Sequence, residues 1–195
     1  MACLRFLDKC WQTTLAKGGH DRNVLSSLRL LEARPGYLRG VFKIGGKHLN
    51  NHNTIHGGVI LSLTDTITSL SLSTHGISAP TGVSVNISTE FVRPGGIDGS
   101  DLIIVGRVEQ LGRTLAYTRC EFYTPPAPPA PPPVQTTTTT DTSASTPDGA
   151  GAGEVGLGLG KLVAYGSQTK FMGGAKPILR FSKDGEDEIP LEEQK

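Results

Sequence analysis

The segment GGVILSLTDTITSLSLSTH, residues 57–75, decides the fold of this chain. Four apolar side chains recur along it at the spacing of a single stripe on an α-helix: Ile60, Leu63, Ile67 and Leu70. Its other faces carry small hydroxyl side chains, and Asp65 is its single carboxylate. A surface helix of this length normally carries several lysines and glutamates. The pattern therefore predicts a helix that is buried on most sides, by its own sheet and by a partner subunit.

Strand-like segments lie on both sides of this helix. One precedes it at residues 37–44, and four follow it at residues 81–92, 101–110, 113–123 and 161–171. A strand, a long helix and then a run of antiparallel strands predict an α+β fold, with an antiparallel sheet wrapped around one long central helix. Two short helices are expected ahead of the sheet. The first is an N-terminal helix or extension within residues 1–20 that ends at Gly18-Gly19, and the second lies around residues 21–27.

Composition divides the 195 residues into ordered and unordered parts. Residues 124–160 pass from a proline run through threonine and serine to glycine and alanine, with too little apolar surface to offset the cost of ordering the chain. This stretch is predicted to be a disordered insert between the last two strands of one domain at residues 21–174. Residues 175–195 are rich in acids and are predicted to form a frayed acidic tail.

Charge and cysteine content limit the possible partners. The whole chain has a formal charge of +1, but the insert and the tail hold the surplus of acids, so the remaining part is basic, at about +6. The basic part suits an anionic ligand, while the near-neutral charge of the whole chain disfavours a strongly basic protein that binds nucleic acid. No apolar run is long enough for a membrane span. Three cysteines without a C-x-x-C pair predict free thiols in a reducing, intracellular compartment.

Residues 50–58, NNHNTIHGG, place amide and imidazole side chains in front of a glycine pair at the start of the long helix. Free backbone N–H groups at a helix N-terminus bind anions and oxyanions, and Asn50 could donate a second hydrogen bond. The alternative is a plain capping turn. A zinc site at His48, His52 and His56 is disfavoured, because no acidic or cysteine partner lies close in the sequence. Neither a metal nor a cofactor is therefore predicted.

Asp65 is costly on a buried helix unless its carboxylate is hydrogen-bonded or used in catalysis. Two interpretations stay open. It is either a structural acid bonded to neighbouring serine or threonine side chains, or a general base for a hydrolytic reaction.

The segment Asn50–Asp65 resembles a known motif, N-x-x-G-x-x-H-G-G followed by an apolar helix with an aspartate eight residues after its first glycine. This is the motif of hotdog-fold acyl-CoA thioesterases of the phenylacetic-acid-pathway and thioesterase-superfamily-member-2 type. The resemblance continues at residues 82–87, 91–94, 112–117 and 160–166. One departure is Asn53, where the family usually has glycine; asparagine tolerates left-handed backbone, so the turn is expected to survive. The other departure is the insert.

The resemblance implies a role for each matching residue. The N–H of Gly57 and the side chain of Asn50 would polarise the thioester carbonyl, and Asp65, from across a dimer interface, would act as general base or nucleophile. Ser84 would position the attacking water, and His56 would assist departure of the thiolate. The residues that would bind the substrate are Gly58, Arg93, Pro94, Gly95, Gly96, Gly112, Arg113, Thr114 and Lys170.

The expected activity is metal-free hydrolysis of a fatty or aryl acyl-CoA to the free acid and CoA. Gly57 and Asp65 lie ~12 Å apart on one helix at 1.5 Å per residue, so they cannot act on the same carbonyl carbon. The resemblance accordingly implies a homodimer or a dimer of dimers, with the active site at the dimer interface. It also implies a cytoplasmic or mitochondrial location, where relatives occur.

Two alternatives to this enzyme stay open. One is a non-catalytic acyl-CoA-binding or scaffold subunit that uses the proline-rich insert as a docking arm. The other, less favoured, is a hotdog dehydratase that acts on a 3-hydroxyacyl thioester.

Overall fold

The structure, a computed structural model, describes residues 1–127 and 158–191. The helices are α1 (Ala2–Ala16), α2 (Gly19–Leu25) and α3 (Gly57–Ser73), and none of these helices in the described ranges is long and apolar enough to cross a membrane. The strands are β1 (Leu28–Arg34), β2 (Tyr37–Lys43), β3 (Val83–Phe91), β4 (Asp101–Leu111), β5 (Leu115–Tyr123), β6 (Leu162–Phe171), β7 (Arg180–Phe181) and β8 (Glu188–Ile189). Most of the predicted insert, residues 128–157, lies outside the described residues, so its disorder stays a prediction.

Six strands form one antiparallel sheet in the order β1-β2-β4-β5-β6-β3. α3 lies across one face of this sheet, in contact with β3, β4, β5 and β6, and its apolar stripe joins the core. The predicted α+β architecture, an antiparallel sheet wrapped around one long helix, is therefore confirmed. β1 has no counterpart among the predicted strands, because its sequence LRLLEAR lacks a clean alternation of apolar and polar residues.

Two glycines allow α3 to approach the sheet closely. A Cβ at Gly106 would lie 2.3 Å from Ser71 Oγ, and a Cβ at Gly166 would lie 2.6 Å from the Thr64 side chain. The buried hydroxyls of Thr64 and Ser71 each donate to the carbonyl four residues earlier, and that of Thr68 donates to Gln168 Oε1. These bonds satisfy the hydroxyl groups without water, so a helix rich in serine and threonine can lie in a core. The predicted burial of α3 by its own sheet is confirmed.

α1 packs into the same core as the sheet. Leu7 and Trp11 are buried, and the Trp11 Nε1–H donates to the carbonyl of Leu28 at 3.2 Å. The helix stops before Gly18 and Gly19, whose φ angles of 78° and 74° lie in the left-handed region that favours glycine. The predicted end of the first helix is therefore confirmed.

The C-terminal segment docks on α1, so the prediction that it frays is wrong for residues 175–191. β7 and β8 form a small hairpin, and the amides of Ala2 and Cys3 each donate to a carbonyl of this segment at 3.0 Å. Phe181 is buried, with its ring centroid 5.6 Å from that of Phe6. The acidic composition predicts solvation. Composition does not show that the unpaired amides at the start of α1 need hydrogen-bond acceptors. The carbonyl groups of the C-terminal segment are these acceptors.

The three cysteines, Cys3, Cys10 and Cys120, are buried and free, as predicted. Burial raises the pKa of Cys3 and of Cys120 to about 12. These two thiols therefore stay protonated near neutral pH, and a protonated thiol is a poor nucleophile.

β3 forms an edge of the large sheet and is exposed along that edge. Within the described ranges, it pairs with β6 alone. Val83, Val85 and Phe91 are 68%, 61% and 57% exposed, and Leu61 of α3 is 43% exposed. An unpaired strand edge that carries apolar side chains is typical of a surface covered by another chain.

Candidate active site

The side chain of Asn50 organises the loop that leads into α3. Its Oδ1 accepts from the amides of His52 and Thr54 at 2.8 and 3.2 Å, and its Nδ2 donates to Thr54 Oγ1 at 3.0 Å. Asn53 has a φ of 58°, the left-handed backbone expected where the family usually has glycine. The other Nδ2 hydrogen has only a long contact, 3.5 Å, to the carbonyl of Ile55. Asn50 thus shapes the loop and keeps one weakly bonded N–H for a ligand.

Three of the four amides at the start of α3 already have acceptors. Gly58 N donates to Nδ1 of His56 at 2.8 Å, while Val59 N and Ile60 N donate to the His56 carbonyl at 2.9 and 3.3 Å. Among the residues that the structure describes, the Gly57 amide has no acceptor. The oxyanion donor predicted at this helix start is therefore narrowed to one N–H group. Gly58 leaves room for the His56 ring, whose Nδ1 would lie 3.0 Å from a Cβ at that position.

Gly57 opens into a cavity of about 310 Å³ between the start of α3 and the segment after β3. Asn50, Arg93, Pro94 and Gly95 also line it, so the structure brings these predicted site residues together. The ring of Phe91 covers the glycine: a Cβ at Gly57 would lie 3.3 Å from it. The absence of a side chain at Gly57 thus leaves the free amide accessible.

Asp65 lies two turns further along α3 and faces β3 and β6. Its Oδ1 accepts from Gln168 Nε2 at 2.5 Å, from Ser84 Oγ at 3.1 Å and from Ser69 Oγ at 3.5 Å. No donor reaches its Oδ2 within the described part of the chain. Both interpretations of Asp65 are therefore partly supported, because one carboxylate oxygen is held by the protein and the other is open to a ligand.

Gln168 is a candidate site residue that was not among those predicted from the sequence. It is 2% exposed, and its Nε2 donates both to Asp65 and to Ser84 Oγ, the latter at 2.8 Å. Its Oε1 accepts from Thr68 Oγ1 at 2.6 Å. The alternation of β6 gives the signal that could have found it, because Gln168 and Lys170 are polar residues at positions that face the core.

Lys170 lies beside Asp65 and not on the surface where a phosphate would bind. It is 5% exposed, and its Nζ donates to Ser69 Oγ at 2.6 Å. Burial lowers the pKa of Lys170, and the Asp65 carboxylate partly offsets this effect. Lys170, Asp65 and Ser84 line a cavity of about 380 Å³. The rest of the lining is mixed, with Asp21 and several hydroxyl side chains beside five apolar ones: Trp11, Leu70, Ala79, Pro80 and Val83.

The predicted substrate-binding residues divide between the two ends of α3. The segment Arg93–Gly96 follows β3 and lies at the Gly57 end. The turn Gly112–Thr114 lies at the Asp65 end, because Leu115 and Val83 both pair with Phe171. Asp65 does not line the cavities beside Gly57, and Gly57 does not line the cavity beside Asp65. The free donor at Gly57 and the open acceptor at Asp65 therefore open into separate cavities.

Of the three histidines considered for zinc, His52 is exposed and the other two accept hydrogen bonds from the backbone. Nδ1 of His48 accepts from the Gly45 amide at 2.8 Å, and Nδ1 of His56 accepts from Gly58. In residues 1–127 and 158–191, no three His, Cys, Asp or Glu side chains converge on a common point.

Comparison with known proteins gives the same class as the motif. The family model of the thioesterase superfamily matches residues 52–127. A Schizosaccharomyces pombe protein named as an esterase is 33% identical over 121 residues, which are 62% of this chain and 74% of that protein. Human acyl-coenzyme A thioesterase 13 is 33% identical over 104 residues, 53% of this chain and 73% of that one. The crystal structure of zebrafish thioesterase superfamily member 2 superposes with a TM-score of 0.62 at 24% identity, covering 87% of this chain and 97% of that chain.

This chain belongs to the thioesterase superfamily. The family resemblance, the hotdog fold and the class of thioester hydrolase predicted from the sequence are therefore confirmed.

Proposed function

We propose that this protein is an acyl-CoA thioesterase that hydrolyses a fatty or aryl acyl-CoA to the free acid and CoA. One observation carries the proposal: α3 holds an open donor, the Gly57 N–H, and an open acceptor, Asp65 Oδ2. Hydrolysis of a thioester needs a donor for the developing oxyanion and an acceptor for a proton of the attacking water. The name of the human relative supports CoA as the carrier of the acyl group.

The complete site forms between two copies of the chain. β3 runs from Ser84, beside Asp65, to Phe91, which lies over Gly57. If the free edges of two β3 strands pair antiparallel about a twofold axis, Ser84 of one copy lies opposite the Phe91 end of the other. This pairing covers the exposed edge of β3 and brings the donor of one copy to the base of the other. A dimer of such dimers is compatible with this arrangement.

The two halves then divide the chemistry. The thioester oxygen accepts from Gly57 N–H, with the second Nδ2 hydrogen of Asn50 in reach of the same cavity. Asp65 Oδ2 takes one proton from a water whose oxygen bonds to the carbonyl carbon, and the electrons of the C=O bond move to the oxyanion. Collapse of this intermediate re-forms the C=O bond and breaks the C–S bond, and the proton held by Asp65 passes to the CoA thiolate, which restores the carboxylate. Because Nδ1 of His56 accepts from Gly58, the neutral ring carries its hydrogen on Nε2, which can bond to the departing thiolate.

The CoA moiety is assigned to the two glycine-containing segments that flank the halves of the site. Gly58 and Arg93–Gly96 border the donor half, and Gly112–Thr114 borders the base half. Arg93 and Arg113 are exposed and can pair with phosphate. The cavity beside Asp65, whose lining includes Trp11, Leu70 and Val83, is assigned to the acyl group. The cytoplasm or the mitochondrion remains the proposed location.

Asp65→Asn tests this proposal most directly. Thiol release from a panel of acyl-CoAs of increasing chain length would be followed with dithiobis-nitrobenzoate, beside the control Asp187→Asn in the exposed C-terminal segment. We expect the Asp65 variant to lose about 10³-fold in kcat, because a positioned general base contributes roughly 10²–10⁴-fold. The control should keep wild-type activity.

Two results would contradict the proposal. Near-wild-type hydrolysis by the Asp65→Asn variant would show that this carboxylate is not the base. Tight binding of acyl-CoA by the wild-type protein with no thiol release would favour the alternative, a non-catalytic acyl-CoA-binding or scaffold subunit.

A further inference from the structure

We infer that Gln168 is a positioning residue that decides which oxygen of Asp65 accepts the proton and which way the Ser84 hydroxyl points. The inference rests on the proposed role of Asp65 as the base. It starts from the triangle formed by Gln168 Nε2, Asp65 Oδ1 and Ser84 Oγ, with sides of 2.5, 2.8 and 3.1 Å.

The hydrogens of this triangle can be assigned without ambiguity when Asp65 is ionised. A carboxylate has no hydrogen to donate, so Gln168 must turn its NH2 group toward Oδ1. Its two hydrogens then go to Asp65 Oδ1 and Ser84 Oγ. Because Ser84 Oγ accepts from Gln168, its own hydrogen goes to Asp65 Oδ1. All three groups are thereby fixed in direction.

This assignment determines how the attacking water is held. Asp65 Oδ1 already receives two close donors, so Oδ2 is the oxygen left to accept a proton. Ser84 has committed its hydrogen, so it contacts the water as an acceptor, through its second lone pair. A water that donates one hydrogen to Asp65 Oδ2 and the other to Ser84 Oγ presents a lone pair outward, toward the carbonyl carbon.

Gln168 itself is held by the helix that carries Asp65. Its Oε1 accepts from Thr68, which lies three residues after Asp65 on α3. Gln168 therefore contacts α3 at two points and cannot rotate its amide without losing bonds at both. Its 2% exposure excludes bulk water from competing for these bonds.

The substitution Gln168→Met tests the inference, because methionine keeps the length of the side chain and removes both donors. We expect kcat to fall about 10- to 100-fold, part of the roughly 10²–10⁴-fold of a positioned base, with KM unchanged within about twofold. Gln110→Met, at an exposed glutamine on β4, is the matched control and should leave both constants unchanged.

A second variant separates positioning from packing. In Gln168→Glu, two adjacent carboxylates would share one proton, and the protonated acid would donate to Asp65 Oδ1 as the amide does. We expect its activity relative to wild type to rise as pH falls below neutrality, while Gln168→Met shows no such recovery. A purely structural role would give both variants the same pH profile as wild type.

The possible failures can be told apart. If Asp65→Asn is inactive but Gln168→Met keeps its kcat within about twofold, the positioning role is wrong and the proposed function stands. If Gln168→Met raises KM as much as it lowers kcat, Gln168 shapes substrate binding, and the positioning role is again wrong. If Asp65→Asn remains active, Asp65 is not the base. The proposed mechanism is then wrong, and the positioning role of Gln168 that rests on it is wrong as well.

Discussion

The two ends of α3 are built in different ways. At the Gly57 end, the donor is a backbone amide, and the residues that shape it lie within one loop, residues 50–58. At the Asp65 end, the acceptor is a side chain held by Ser84 and Gln168, which are 19 and 103 residues away in the sequence. A local motif can specify the first end. The second depends on the register of β3 and β6 against the helix.

The largest expected effect tests whether these ends act together across two copies. Asp65→Asn and Gly57→Val should each be almost inactive alone, because every site in either homodimer lacks one half. When the two variants are co-expressed, each heterodimer has one site with both halves intact. Random pairing makes half of the dimers heterodimers, so about a quarter of wild-type activity should return.

The measurement is thiol release by the co-purified mixture, with each variant assayed alone at the same total concentration. Analytical ultracentrifugation should first establish that each variant is folded and has the wild-type oligomeric state. An inactive mixture of two well-folded variants that exchange subunits would mean that both halves act within one copy.

The difference between the two ends also explains how much the sequence could predict. The residues of the Gly57 end form a contiguous motif, so the helix start, the glycine pair and Asn53 could all be predicted before the fold was known. Asp65 stood out as the single carboxylate on a buried helix, and its assigned role and that of Ser84 followed from the family resemblance. The role of Gln168 could not be predicted, because a glutamine in a strand indicates no function until the pairing of β3 with β6 places it beside both residues.

The same difference between local and distant residues decides which parts of the fold could be predicted. Periodicity predicts α3 and the antiparallel strands because each needs only its own residues. The docking of the C-terminal segment depends on the unpaired amides of Ala2 and Cys3, at the opposite end of the chain. Composition alone predicts an acidic, frayed tail there, since it carries no information about distant acceptors and donors.

A smaller effect is expected from adding one methyl group at the Gly57 end. In Gly57→Ala, the new Cβ would lie 3.3 Å from the Phe91 ring and beside the Gly57 amide, so the carbonyl oxygen would be held further away. We expect kcat/KM to fall about 10²-fold, within the range for loss of one oxyanion donor. Gly58→Ala should cost less, because its amide is already committed to His56.

Both glycine variants need the same acyl-CoA assay and a thermal unfolding curve. A greater loss of activity in Gly58→Ala than in Gly57→Ala, at equal stability, would contradict the assignment of the oxyanion donor to Gly57.

The smallest effect is expected at Lys170 and concerns stability at the Asp65 end. Burial lowers the pKa of this lysine in the folded protein, so between that value and its ordinary pKa of about 10.5 the unfolded chain binds a proton that the folded chain does not. The free energy of unfolding contributed by Lys170 therefore rises with pH through this window. Lys170→Met removes the cost of burying an ammonium group and should be more stable than wild type at neutral pH.

Urea unfolding of wild type and Lys170→Met between pH 7 and pH 10.5 would measure this difference. The advantage of the variant should shrink as pH rises, because the wild-type lysine becomes neutral in the folded state. Lys176→Met, at an exposed lysine, should show no pH-dependent difference from wild type. The lost hydrogen bond to Ser69 lowers the stability of the variant at every pH and does not alter the slope. A stability difference between wild type and Lys170→Met that stays constant over this range would mean that the folded protein does not keep Lys170 buried beside Asp65. The two ends of α3 would then differ less in their electrostatics than the structure indicates.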